Sequence, residues 1–245
     1  MADELLRHDE GAVRVLTMNR PEKMNALNTA LTQALLDGLQ DADRDPSVHV
    51  IVLVGAGRGF CAGADLNEFK HLTADNPQAI AARGDLTMAL HAAIPRMGTP
   101  VIGAINGAAR GGGCGLALAP DMVLAADTAT FGYPEARRGA VAAIVMANLV
   151  RQVGRKAAFE LVAVGDVVSA TQAQALGMVN RVVPAAGLME ATLALATQMA
   201  SVSRDAMAAT KRLFHRCAEL PFPAALEAAR DANVIMRGYS IRSTV

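Results

Sequence analysis

The segment His49–Val54, HVIVLV, is apolar at five successive positions. A strand with one face in water alternates polar and apolar residues, whereas an unbroken run suits a strand covered on both faces. Pro100–Ile105 (PVIGAI) and Asp121–Ala125 (DMVLA) read the same way, and Ala12–Met18 (AVRVLTM) is also strand-like. Between these runs lie helical patterns at about Ala30–Asp43 and Ala79–Ile94. In the first, Leu31, Ala34, Leu35, Leu39 and Ala42 share one face, opposite Thr32, Gln33, Asp37 and Gln40. Buried strands separated by helices or Gly-rich turns predict a mostly parallel α/β core. After about residue 142 the pattern is nearly all helical, with one short strand at Val179–Val183. Ser169-Ala-Thr-Gln172 has the form of a capping box, and Gly177 closes the helix that it starts.

The chain of 245 residues suffices for one large domain with a real core. Lys plus Arg equal Asp plus Glu, 23 against 23, so no overall field draws the chain to nucleic acid or a membrane surface. Aromatic residues are only 3 %, which argues against a base-stacking platform. Cys61, Cys114 and Cys217 are far apart and form no C-x-x-C, which fits a reducing compartment without a disulfide frame. The opening MADELLRHDEG has no apolar core of a signal peptide, and no apolar run nears the roughly 20 residues of a membrane span. The expected location is the cytoplasm. His8, His49, His71, His91 and His215 do not fall at metal-ligand spacing, and no metal is expected.

Two Gly-rich stretches carry the chemistry. Val52–Phe60 (VLVGAGRGF) imitates a dinucleotide fingerprint, but Phe60 stands where the third Gly belongs, so it reads as a strand-to-loop turn. Next comes Gly59-Phe-Cys-Ala-Gly-Ala-Asp-Leu66, and after PVIGAI a second cluster, Asn106-Gly-Ala-Ala-Arg-Gly-Gly-Gly-Cys-Gly-Leu-Ala-Leu118. Glycines let a backbone approach a ligand, and a helix start offers free N–H groups to an anion. Two such turns facing each other can form a two-donor oxyanion hole. On periodicity alone, close helix–strand packing explains the triple Gly equally well.

These two stretches, with Phe131-Gly-Tyr-Pro-Glu135, resemble the enoyl-CoA hydratase/isomerase (crotonase) family. So do Asn19-Arg-Pro-x-Lys-x-Asn-Ala-Leu27 and Gly165-Asp-x-x-Ser-Ala running on to Pro184, so the resemblance covers nearly the whole chain. It implies an α/β fold: a crotonase-like spiral of β-β-α repeats over residues 1–187, and a helical C-terminal region, 188–245, for trimerisation and as a lid. It implies an acyl-CoA thioester as substrate, oxyanion donors at the amides of Ala64 and Gly112, and Glu135 as the proton carrier. Substrate or CoA contacts are implied at Lys23, Ala26, Ala62, Asp65, Leu66, Gly111 and Pro134. No cofactor is implied beyond CoA as part of the substrate. A homotrimer or a dimer of trimers is implied.

Two departures matter. The family's first acid, three residues after the middle Gly, is here Gly115. One carboxylate suffices to shift a double bond, whereas water addition gains from two, so hydration of a 2-enoyl-CoA and a Δ3,Δ2 double-bond shift stand side by side. A catalytically degraded acyl-CoA binder, or a decarboxylase or C–C lyase on the same scaffold, are the alternatives. The segment after Glu135 resembles a branch with hydratases of branched, carboxylated enoyl-CoAs. There Arg137 or Arg138 would meet a substrate carboxylate, against the weightier reading of two solvated arginines.

Overall fold

A computed structural model describes residues 3–240. In chain order the elements are β1 (Leu5–Glu10), β2 (Val13–Met18), α1 (Thr29–Arg44), β3 (Val50–Gly55), β4 (Gly59–Cys61), α2 (Leu66–Phe69), α3 (Pro77–Arg96), β5 (Val101–Ile105), β6 (Ala108–Arg110), α4 (Gly112–Ala117), β7 (Met122–Ala126) and β8 (Thr130–Gly132). There follow α5 (Met146–Val153), α6 (Arg155–Val164), β9 (Val168–Ser169), α7 (Ala170–Ala175), β10 (Arg181–Val183), α8 (Leu188–Ala200), α9 (Arg204–Glu219) and α10 (Phe222–Ser240). Residues 241–245 of the expected C-terminal region lie outside the described residues.

The strands form two sheets, one in the order β1-β2-β3-β5-β7-β10 and one in the order β4-β6-β8-β9. Three strands of the large sheet are each followed by a short strand of the small one: β3 by β4, β5 by β6, β7 by β8. That is the spiral of β-β-α repeats. Within it β2, β3, β5, β7 and β10 run parallel, and β1 joins antiparallel. All six residues of β3 are buried, as the unbroken run HVIVLV requires. Helix α8 packs across β2, β3, β5 and β7.

The differences from the sequence reading are local. Strands β1, β4, β6, β8 and β9 were not individually predicted, because each is three residues or fewer or, for β1, charged and polar after Leu5 and Leu6. Their pairing comes from the neighbouring strand rather than from their own pattern. Helix α3 runs past the predicted stop to Arg96, with Pro95 in its last turn. Thr32, placed on the polar face of α1, is buried: Arg83 reaches across from α3 and donates to its hydroxyl at 3.1 Å. The Leu31, Leu35, Leu39 and Ala42 stripe is fully buried, and Asn28 caps α1 through the Leu31 N–H at 2.8 Å. The capping box at Ser169 is formed, with both reciprocal bonds present.

Candidate active site

Each Gly-rich stretch lies where a small-sheet strand ends. After β4 the chain turns through Ala62, Gly63, Ala64 and Asp65 into α2; after β6 it turns through Gly111 into α4. Gly63 has φ +89°, and a Cβ on it would lie 2.6 Å from the Arg110 carbonyl oxygen and 3.3 Å from the Gly112 nitrogen. The two turns therefore touch backbone to backbone, which only Gly allows here. A Cβ on Gly112 would lie 3.9 Å from the Ala64 nitrogen, so both amides border one small space.

Their N–H groups are kept free by how the surroundings bond. Leu27 pairs with Ala64 as an isolated bridge. Its N–H donates to the Gly63 carbonyl at 2.7 Å, and its carbonyl accepts the Asp65 N–H at 3.1 Å. The bridge thus uses the groups on either side of the Ala64 N–H, which meets no backbone acceptor among the described residues. Gly112 opens α4, where the first N–H groups have no partner within the helix. Two neighbouring backbone N–H groups left without a backbone partner are what stabilisation of a developing oxyanion would use.

Glu135 stands against this point. A Cβ on Gly111, at φ +52°, would fall 2.7 Å from Glu135 Oε1. Glu135 Oε2 is buried with no hydrogen-bond partner among the described residues. Burial raises the carboxyl pKa above its ordinary value, opposed by the residue's own backbone N–H and by the Arg138 charge. A carboxylate so placed binds a proton more readily than a solvated one. If its ionised form is the working base, kcat/KM falls on the acid side with a midpoint above the ordinary glutamate value of about 4.3. A pH profile that stays flat down through that value contradicts this.

Side chains that the sequence reading did not single out hold the loops. Asn25, fully buried at φ +56°, gives its amide N–H groups to the carbonyls of Ala56, Gly59 and Phe60 and accepts from the Arg20 N–H at 2.9 Å. Arg20 also binds the Ala26 carbonyl and the Asp65 carboxylate, the latter at 2.9 Å. Arg83 donates to the Leu27 carbonyl at 2.9 Å and pairs with Glu68 at 3.4 Å. The one available signal was Asn25, since Asn tolerates a left-handed backbone; the two arginines act across distances in sequence that no local pattern reports.

The other named positions divide by exposure. Lys23, Ala62 and Leu66 are exposed along the same loops, while Ala26 and Asp65 are buried and Pro134 is half-buried. The Asp65 carboxylate is taken up by Arg20 and by the Asn67 N–H that it caps. Burial alone would raise its pKa, but these bonds outweigh that and hold it below the usual carboxylate range. Arg137 is exposed, bonded to the Val164 carbonyl at 2.7 Å and paired with Asp166, which agrees better with the weightier reading of a solvated arginine than with a substrate-carboxylate partner. Cys61 and Cys114 are fully buried, and burial pushes their thiols up to about 12 and about 11. They stay protonated and serve as packing. Among the described residues no group of three His, Cys, Asp or Glu is placed to hold a metal ion.

The space beside Gly115 is filled. A Cβ there would lie 2.2 Å from Val145 Cγ1, 2.8 Å from Val145 Cβ and 3.1 Å from His91 Cε1. There is no open slot for an acid at this position, because Val145 occupies the room. Gly115→Ala is expected to destabilise the chain by about 1–3 kcal/mol through overpacking, read as a lower urea midpoint; an unchanged midpoint would mean that Val145 yields freely.

Two Gly turns on a β-β-α spiral thus bring the amides of Ala64 and Gly112 and the half-buried Glu135 carboxylate close together, an arrangement whose chemistry suits an oxyanion beside a proton carrier. The Enoyl-CoA hydratase/isomerase family model matches residues 8–237, and the chain belongs to that family. It is 39 % identical over 234 residues to the 2,3-dehydroadipyl-CoA hydratase of Escherichia coli, covering 95 % of this chain and 90 % of that protein. It is 39 % identical over 207 residues to the mevalonyl-coenzyme A hydratase SIDH of Beauveria bassiana, covering 81 % and 74 %. An enoyl-CoA hydratase structure from Mycobacterium smegmatis superposes with a TM-score of 0.89 at 34 % identity, covering 95 % of this chain and 90 % of that one.

Proposed function

We propose that the chain turns over enoyl-CoA thioesters through an enolate, by hydration of a 2-enoyl-CoA or by a Δ3,Δ2 double-bond shift. The observation that carries this is the Glu135 carboxylate lying against Gly111, next to the free amides of Ala64 and Gly112. The thioester carbonyl oxygen sits between the two N–H groups, which stabilise the charge that develops on it. In hydration Glu135 takes a proton from water as its oxygen adds to C3, and delivers that proton to C2. In the double-bond shift it removes a proton from C2 of a 3-enoyl-CoA and returns it at C4. CoA runs along the exposed edge of Lys23, Ala62 and Leu66, beside Ala26 and the turn that Asp65 holds.

The names of the relatives favour hydration. Gly115, with Val145 packed over it, favours the shift, because no second carboxylate is there to hold the water. A panel of 2-enoyl- and 3-enoyl-CoA esters, with product regiochemistry read by NMR in deuterated water, separates them. Saturable ester binding with no conversion of any member would instead support a non-catalytic binder. The chain is further proposed to act as a homotrimer or dimer of trimers in the cytoplasm. Phe222, Leu226, Val234 and Ile235 of α10 expose apolar side chains that an assembly would cover, and the three cysteines are free thiols. Sedimentation at micromolar concentration giving a monomer would count against the assembly.

A further inference from the structure

The Ala64 amide rests on a small piece of structure. Gly63, Ala64 and Asp65 lie between the three-residue strand β4 and the four-residue helix α2, and Ala64 pairs with Leu27 outside any sheet. Leu27 grips the turn on both sides of Ala64, through the Gly63 carbonyl at 2.7 Å and the Asp65 N–H at 3.1 Å. No ladder extends this bridge. The direction of the Ala64 N–H therefore depends on how firmly the Leu27 peptide is itself held.

Arg83, from the middle of α3, holds it. Its Nη2 donates to the Leu27 carbonyl at 2.9 Å, the same oxygen that takes the Asp65 N–H, so both lone pairs of that carbonyl are used. Nη2 also reaches the Thr32 hydroxyl on α1 at 3.1 Å, Nη1 donates to the Thr87 hydroxyl, and Nε meets Glu68 on α2 at 3.4 Å. The Phe69 ring covers the guanidinium, its centroid 5.9 Å from Cζ. Only 6 % of the Arg83 side chain is exposed. Burying a guanidinium is costly unless its donors are satisfied. Here the acceptors are a carbonyl, two hydroxyls and one carboxylate at the longest distance of the set with a printed length, so little of the cost is offset by charge pairing. An apolar side chain could pack α3 against α1 without that cost. It could not fix one carbonyl by a charge-assisted hydrogen bond, which is shorter and stronger than a neutral one.

We infer that Arg83 is a positioning residue for the reaction: by clamping the Leu27 carbonyl it fixes the peptides on either side of Ala64 and so aims the Ala64 N–H. This rests on the reading of Ala64 as an oxyanion donor. The separate bonds of the guanidinium allow the role to be isolated. The Arg83→Gln side chain ends where Nε stands, so it can still meet Glu68 but loses every bond made by Nη1 and Nη2. Thr87→Val removes one bond of Nη1 and leaves the bond to the Leu27 carbonyl in place.

The test compares the whole chain as wild type, Arg83→Gln, Arg83→Lys and Thr87→Val, with two readouts. The first needs no ligand and is amide hydrogen exchange followed by NMR. The Leu27 and Asp65 N–H groups are expected to exchange about tenfold faster in Arg83→Gln, because the bridge opens locally, and at the wild-type rate in Thr87→Val. The second is kinetics on an ester that the wild type turns over. Arg83→Gln should lower kcat by about 10–100-fold, less than outright loss of the donor, while the dissociation constant of a non-reactive analogue changes by less than about threefold. Arg83→Lys keeps a cation for the Leu27 carbonyl and should recover part of kcat and of the slow exchange. Thr87→Val should keep the wild-type kcat even where its urea midpoint falls. Circular dichroism checks that Arg83→Gln is folded; if it is not, Arg83→Met takes its place. The proposal is overturned by a wild-type kcat in Arg83→Gln, by unchanged exchange at Leu27 and Asp65, or by Arg83→Lys faring no better than Arg83→Gln. It is equally overturned if Thr87→Val loses as much kcat as Arg83→Gln, which would mark a purely structural role. Should the wild type convert no ester, the reading of the reaction fails on its own, and the exchange rates alone then support or overturn the clamp.

Discussion

Glu135→Gln is expected to lower kcat by about 10²–10⁴-fold, the usual contribution of a positioned proton carrier. Acyl-CoA binding should persist, because the substitution keeps the shape and removes only the exchangeable charge. Glu135 Oε1 lies where a Cβ on Gly111 would fall, 2.7 Å away, and Oε2 has no protein partner, so little of the surrounding structure depends on the ionised form. Burial that raises the carboxyl pKa also makes the neutral amide easy to accommodate. The measurement is steady-state kinetics on whichever ester the panel shows to be turned over, with the dissociation constant of a non-reactive analogue as control. A variant that keeps wild-type kcat sinks the assignment of Glu135; one that loses binding as well points to a structural role instead.

Exchanging the peptide link before Ala64 for an ester, by incorporating lactate at that position, is expected to cost about 10²–10³-fold in kcat. The ester lacks the N–H but keeps the backbone path. The Leu27 bridge uses the Gly63 carbonyl and the Asp65 N–H, so the turn keeps the Asp65 bond at 3.1 Å, while the shorter bond to the Gly63 carbonyl, 2.7 Å, is weakened but not removed. A fall in kcat with little change in analogue binding is the mark of a donor that acts on developing charge. An ester-linked protein with unchanged kcat would place the oxyanion elsewhere. Gly63→Ala is a poorer probe, because its Cβ would press on the Arg110 carbonyl at 2.6 Å and move both turns together.

The buried strands, the α1 stripe and the Ser169 capping box were legible because each depends on spacing within a few residues. The short strands β4, β6 and β8 were not, since three residues carry too little pattern and owe their conformation to the strand beside them. Arg20 and Asn25 fall inside the Asn19–Leu27 motif, and Arg83 inside a helix, yet the bonds by which all three hold the site loops cannot be read from those segments. Arg137 reads in the sequence mainly as a solvated arginine; its exposed pairing with Asp166, far on in the chain, is a contact that its own segment could not show.

What the sequence held by itself was the two Gly-rich turns, because a close approach of backbone needs Gly at fixed offsets and that need is written locally. Their reading as oxyanion donors, with Glu135 as proton carrier, comes through the family resemblance. Only the tertiary structure decided what Gly115 means. Its neighbours His91 and Val145 come from α3 and from the start of α5, and their convergence on α4 closes the room a second acid would have used. Whether a vacated side-chain volume stays open, fills with water or is packed by a neighbour depends on elements far apart in the chain, and close packing settles it only once they meet.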